Sequence, residues 1–118
     1  EFYMKFDSDK TKYLGLCIDT CHIFVAGYNP DTFNKIIKMF KKKIGVENII
    51  LINLNDSKKE CGSRVDRHEK IDEGKIGLYY LFPWIKFAIK NNIPLILETP
   101  VLDEIEHLEE LELIKKYF

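Results

Sequence analysis

No apolar run in this sequence approaches the roughly 18 residues that a bilayer-spanning helix needs, and no signal peptide is visible at its start. Neither membrane residence nor secretion is expected. Cysteine is scarce and odd in number, at Cys17, Cys21 and Cys61, which argues against a disulfide framework and for a reducing, intracellular, cytoplasmic setting. An excess of charge of one sign is also missing. Eighteen Lys and Arg face 19 Asp and Glu, a net charge of −1, so nothing global attracts nucleic acid, and such a partner would have to be held by local clusters. Internal repeats and low-complexity tracts are absent too. What is present is ordinary for a folded domain: 46% apolar and 31% charged residues. A chain of 118 residues suffices for one modest domain and not for two.

Short apolar runs that end in polar residues organise the chain. Leu14–Ile18 reads as a buried strand, with alternation placing Gly15, Cys17 and Asp19 on one face. Asn29-Pro30 suits a helix start. Phe33, Ile36, Ile37, Phe40 and Ile44 then follow at helical spacing, and Gly45 fits the helix end. Ile49–Leu54 is a second strand, aligning Ile49, Leu51 and Asn53. Residues 55–77 read as a long, polar, irregular segment, which in a compact domain is usually functional. Leu78–Lys90 is a helix that Pro83 should kink or start late. Ile93–Leu97 is a third strand, placing Ile96 and Glu98 on one face. Leu102, Ile105, Leu108 and Leu111 outline a final amphipathic helix with acidic residues on its outer face. This order makes two consecutive βαβ units, hence an α/β fold with parallel strands covered by helices.

In such folds ligands bind at the carboxyl ends of the strands, where Asp19, Asn53 and Glu98 all fall on one face. His22 follows Asp19 in the turn leaving the first strand, and Asp66 and His68 lie one residue apart in the long loop. An oxygen and two imidazoles are a common zinc set that leaves room for water. Blander roles exist for each residue: Asp19 as a helix cap or ion-pair partner, Glu98 as a cap of the last helix, Asp66-Arg67-His68 as a surface charge cluster. A thiolate site from Cys17, Cys21 and His22 lacks the usual spacing. His107 should be at the surface, and Phe24 and Trp84 in the core.

The blocks CIDTCHIFVAGY, LNDSK, GSRVDRHEKIDEGKIG and PLILETP, in this order, resemble the endonuclease IV family of zinc-dependent apurinic/apyrimidinic endonucleases. The similarity runs from about Leu14 onward. It implies that residues 14–118 form the C-terminal part, about three strands, of a TIM (β/α)8 barrel that holds three zinc ions when complete. Residues 1–13 would be a remnant or linker. Carried over residue by residue, His22, Asp66 and His68 correspond to the protein ligands of one zinc, and Asp19 and Glu98 to ligands of a second, at the catalytic centre. Asn53 stands where the family has histidine, and an amide oxygen is a poorer zinc ligand than imidazole. About one zinc is therefore expected for this chain.

The implied activity is hydrolysis of the phosphodiester 5′ to an abasic site in double-stranded DNA, as a step of base-excision repair. Lys58, Lys59, Arg64 and Arg67 are the candidate DNA contacts. The chain would need an N-terminal half or a second copy to close the barrel. Two further readings stand beside this one: a sugar isomerase or epimerase of the same barrel superfamily, and an inactive zinc-binding remnant.

Overall fold

The computed structural model describes residues 14–118; the expected remnant or linker at residues 1–13 lies outside the described residues. The elements in order are β1 (Leu16–Asp19), α1 (Thr20–Val25), α2 (Phe33–Lys43), β2 (Ile49–Asn53), β3 (Asp56–Ser57), β4 (His68–Glu69), α3 (Leu78–Lys90), β5 (Leu95–Ile96) and α4 (Glu104–Lys115). β1, β2 and β5 form a parallel sheet in chain order, a three-strand arc of a barrel. Asp19 pairs with Asn53, and Asn53 with Ile96, as alternation required. The expected third strand Ile93–Leu97 contracts to Leu95–Ile96. It pairs only with β2, and Pro94 has no N–H for a ladder. Among the described residues, no helix is long and apolar enough to cross a membrane.

The core fills the side of the sheet that the helices cover. Ile18, Ile52, Leu54, Leu81 and Ile85 are buried there, with Phe24 and Trp84. Phe33 of α2 meets Trp84 of α3 edge-on at 4.8 Å between ring centroids, a preferred aromatic geometry. Asn29 caps the entry to α2 by accepting from the Asp31 N–H. At its exit Gly45 takes φ 90° and donates to the Phe40 carbonyl, a conformation in which a side chain is strained. α3 starts at Leu78 and continues through Pro83, so the late start, one of the two expected outcomes, does not occur. Proline deprives the carbonyl four residues back of its donor. Tyr79 carries that carbonyl and is 82% exposed, so water can serve it.

One expectation fails. The final helix forms, but Leu102, Ile105 and Leu108 are 92%, 66% and 60% exposed, and acidic Glu110 is buried instead. Glu110 accepts from the Ile71 N–H at 2.9 Å and from the Thr99 hydroxyl. These charge-assisted bonds, together with buried Ile114, decide which side of α4 faces the domain. His107 is correspondingly half-buried, with Nδ1 shut away from solvent.

The segment 55–77 is irregular as expected apart from the short strands β3 and β4, yet it is firmly held. Asp56 is fully buried and its carboxylate accepts from five backbone N–H groups. Ser57 and Ile76 reach Oδ1 at 2.8 and 2.9 Å, Asp72 and Gly74 reach Oδ2 at 3.1 and 3.2 Å, and Gly77 reaches both oxygens. A Cβ on Gly74 would collide with this carboxylate and with the Ser57 carbonyl, so no side chain fits there. β3 and β4 then pair antiparallel, setting Ser57 opposite His68. The loop is also tied to α1, through Gly62 N–H to the Phe24 carbonyl and Arg64 N–H to the Val25 carbonyl.

Cys21 on α1 is buried while Cys17 and Cys61 are exposed. Burial, followed by a weaker contribution from Asp66 and Asp19, pushes the Cys21 thiol up to about 11. It stays protonated at neutral pH and donates to Asp66 Oδ1 at 3.5 Å and the Arg67 carbonyl at 3.7 Å.

Two measurements follow from this packing. Asp56→Asn replaces an acceptor-only group with one that also carries donors and faces backbone N–H groups. Urea unfolding should show a loss of about 2–4 kcal/mol, and an unchanged midpoint would refute the anchoring role. Thiol labelling of the native chain near pH 8, mapped by mass spectrometry, should modify Cys61 and Cys17 and spare Cys21 until urea is added. Cys21 also makes stability fall as pH rises from the ordinary thiol value of 9.0 toward 11, because the unfolded chain releases a proton there that the folded chain keeps.

Candidate metal centre

The sheet delivers carboxyl and amide groups to one edge because three adjacent parallel strands end there in register. Asp19 ends β1, Asn53 ends β2, and Glu98 lies two residues beyond β5. A cleft of about 510 Å³ is lined by Cys17, Asp19, His22, Asn53, Asp66, His68 and Glu98, among others. The inner strand face is open here: Cys17 and Ile96 are exposed.

His22 is on α1 and not in a turn as expected. Asp19 caps that helix, its Oδ1 accepting from the His22 N–H at 3.0 Å, so the cap reading of Asp19 holds alongside its place in the cleft. A six-residue helix is too short for apolar periodicity to reveal. The cap brings the His22 ring between two carboxylates: Nδ1 lies 3.2 Å from Asp19 Oδ2, and Nε2 lies 3.2 Å from Asp66 Oδ2. Asp66 turns its other oxygen to His68 Nε2 at 3.3 Å, and Asp19 Oδ2 is 3.5 Å from the same nitrogen. His22 and His68 thus approach the same Asp66 carboxylate from two sides, although the three do not form one of the groups of ligand atoms within 4.8 Å of one another. Asp19 joins them: ligand atoms of Asp19, His22 and His68 lie within 4.8 Å of one another, as do those of Cys21, Asp66 and His68.

His68 carries the strongest chemical signal. Its Nδ1 is 2.9 Å from the Glu98 backbone carbonyl. A carbonyl only accepts, so Nδ1 holds a proton and Nε2 is the atom turned to the cleft. That Nε2 is buried and makes no aligned hydrogen bond, although two carboxylates flank it. An imidazole nitrogen and carboxylate oxygens gathered in this way suit a divalent cation, and a carbonyl on Nδ1 is the usual orienting partner of a metal-bound histidine.

Two residues that sequence reasoning did not single out hold this arrangement. Asn55 is buried; its Nδ2 donates to Asp19 Oδ2 at 3.2 Å and its Oδ1 accepts from the Glu98 N–H at 2.9 Å. Thr20 in turn pins Asn55, donating its hydroxyl to the Asn55 carbonyl at 2.6 Å and accepting the Asn55 N–H at 2.8 Å. The one available signal was two polar residues directly after an apolar run, with no turn residue between. Asn53 donates from Nδ2 to Glu98 Oε1 at 2.6 Å. Lys58, Lys59, Arg64 and Arg67 are all exposed on the loop that carries Asp66 and His68. Arg67 donates to the Asp66 backbone carbonyl at 2.7 Å, and Arg64 is held at φ 59°.

Comparison with known proteins agrees with this geometry. The family model described as a xylose isomerase-like TIM barrel matches residues 5–117. A probable endonuclease 4 of Nitrosopumilus maritimus is 38% identical over 109 residues, covering 90% of this chain and 39% of the relative. Apurinic-apyrimidinic endonuclease 1 of Plasmodium falciparum is 40% identical over 111 residues, covering 89% and 19%. The crystal structure of endonuclease IV from Thermus thermophilus superposes with a TM-score of 0.74 at 31% identity, covering 88% of this chain and 38% of that one. The chain spans well under half the length of these proteins. With a parallel three-strand arc, a strand-end cleft and these relatives, the chain belongs to the xylose isomerase-like TIM barrel family and is similar within it to the endonuclease 4 proteins.

Proposed function

We propose that this chain is the metal-binding, strand-end portion of an apurinic/apyrimidinic endonuclease that hydrolyses the phosphodiester 5′ to an abasic site in double-stranded DNA during base-excision repair. The observation that carries the reading is the meeting of His22 and His68 on the Asp66 carboxylate, with His68 Nε2 buried and without an aligned hydrogen-bond partner. Two imidazoles and a carboxylate suit zinc and leave a position for water. Bound there, zinc would supply a water that ionises near neutral pH and a positive charge for phosphate oxygens.

The chain's own residues do the rest. His22, Asp66 and His68 hold the ion. Asp19 lies within reach of both rings and orients His22 through the helix cap. Cys21, kept neutral, donates to Asp66 and fixes its rotamer. Glu98 orients His68 through its backbone carbonyl, and its carboxylate faces the cleft as an acceptor. Lys58, Lys59, Arg64 and Arg67 ring the loop as phosphate contacts, which position a duplex without reading its sequence. An abasic nucleotide resists extrusion least, having no base to unstack. Relatives at about 40% identity named as endonuclease 4 or apurinic-apyrimidinic endonuclease favour this reading over a sugar isomerase.

Two experiments test it. Metal analysis of the untagged, folded chain should find about one zinc per molecule, falling in His68→Ala; none in a folded sample would sink the metal reading. Incubated alone with a duplex bearing an abasic site, the chain should leave it uncut, because three strands present only one part of the barrel mouth. Cleavage by the isolated chain would show that further strands are dispensable.

A further inference from the structure

Glu98 stands apart from the other acids at the cleft. Ligand atoms of Asp19, His22, Cys21, Asp66 and His68 fall into two groups of three close enough to share one ion, and among the described residues Glu98 is in neither. Its carboxylate is instead held by an amide, Asn53 Nδ2 to Glu98 Oε1 at 2.6 Å. The orientation of that amide is fixed by chemistry, since a carboxylate can only accept and an oxygen turned toward it would repel. It is kept although Asn53 Oδ1 is left buried without a partner, a cost of about 1 kcal/mol or more. The backbone of Glu98 is secured as well, its N–H on Asn55 Oδ1 and its carbonyl on His68 Nδ1.

We propose that Asn53 uses its own N–H group where a second metal ion would otherwise bind, so that the strand mouth is a one-metal site with Glu98 held as a metal-free carboxylate. The inference rests on the metal reading above and concerns the other end of the same cleft. An amide donating to Glu98 cannot present a lone pair at the same place, and when turned round it presents an oxygen that zinc accepts less readily than imidazole. Asn53 pairs with Asp19 across the sheet, so it stands between the two carboxylates that would have to share such an ion. Asp19 meanwhile accepts from the His22 N–H through Oδ1 and from Asn55 Nδ2 through Oδ2. Asn53 therefore acts as a positioning residue for the Glu98 carboxylate, while the Glu98 backbone that orients His68 is secured by Asn55.

The test counts zinc in the untagged 118-residue chain and its variants, by elemental analysis after equilibration and desalting. Asn53→His removes the donor and adds an imidazole, which completes a ligand set with Asp19 and Glu98. It should take up about one zinc more than the parent chain, and Glu98→Gln should abolish the increment in the variant while leaving the parent's count unchanged. Asn53→Asp is the second variant. Two carboxylates then oppose each other, so its thermal midpoint should lie below the parent's without zinc and rise more than the parent's when zinc is added. No increment in a folded Asn53→His chain, or no extra response in Asn53→Asp, overturns the proposal. A parent count of zero sinks the metal reading and the one-metal mouth with it, and an increment in Asn53→His would then show only that Asn53 bars an ion at its own end of the cleft.

Discussion

A single buried carboxylate governs the geometry of the site. Asp56 sits immediately beyond β2, has no exposure to solvent, and gathers backbone N–H groups from Ser57 and from residues 72 to 77. Removing an ionised carboxylate from water costs several kcal/mol unless its lone pairs are met, and five peptide donors meet them here. The consequence reaches well past Asp56. With both ends of the segment fixed to one point, the residues between form a closed excursion whose two limbs pair as β3 and β4. That pairing sets His68, and with it Asp66, over the ends of β1 and β5. The loop that carries Asp66 and His68 is placed by a carboxylate whose hydrogen bonds reach neither residue.

A second chain of bonds joins the loop to the strands. Thr20 holds Asn55, Asn55 holds Asp19 and Glu98, and the Glu98 carbonyl holds His68. Each link pairs an acceptor with a donor that can face only one way, so the network fixes tautomers and amide orientations as well as positions. The asparagines do much of this because an amide satisfies a carboxylate on one side and an N–H on the other. The cleft thus collects Asp19 and Asp66 around the rings of His22 and His68, with Glu98 held by Asn53 at its other end. Two carboxylates converge there on His68 Nε2, which has no aligned partner.

Much of this was legible in the sequence, and the part that was not has a physical reason. Alternation along short apolar runs sufficed to place Asp19, Asn53 and Glu98 on one face, because a strand's period of two leaves no other choice. The order of elements gave parallel strands for the same kind of reason: a helix between two strands returns the chain to the same end. The order in residues 55–77 could not be read that way. It comes from side chain to backbone bonds, and a backbone N–H has no residue type that announces it. Glycine at positions 74 and 77 was the trace left by this arrangement. α1 was missed because six residues show less than two turns. The face of α4 was misjudged because its periodic apolar stripe suggested burial, whereas Glu110, an outer-face residue by pattern, found two donors in the interior.

The difference between the two ends of the cleft follows from which parts of the chain supply them. His22, Asp66 and His68 come from α1 and from the loop after β2, elements that the buried Asp56 and the helix cap of Asp19 hold by contacts within this arc. A three-strand fragment can therefore assemble that set by itself. The Asn53 and Glu98 end relies on strand termini that face the open inner surface, where Cys17 and Ile96 are bare to solvent. At that end a carboxylate without a nearby donor would face only water on one side and Asp19 on the other. An amide in β2 resolves this locally, giving Glu98 a fixed partner whether or not further strands close over the mouth. An imidazole at the same position would hold Glu98 in place only when a cation bridged them. Asparagine at position 53 thus makes the placement of the Glu98 carboxylate independent of a second ion, while His68 is held by the Glu98 backbone that Asn55 secures.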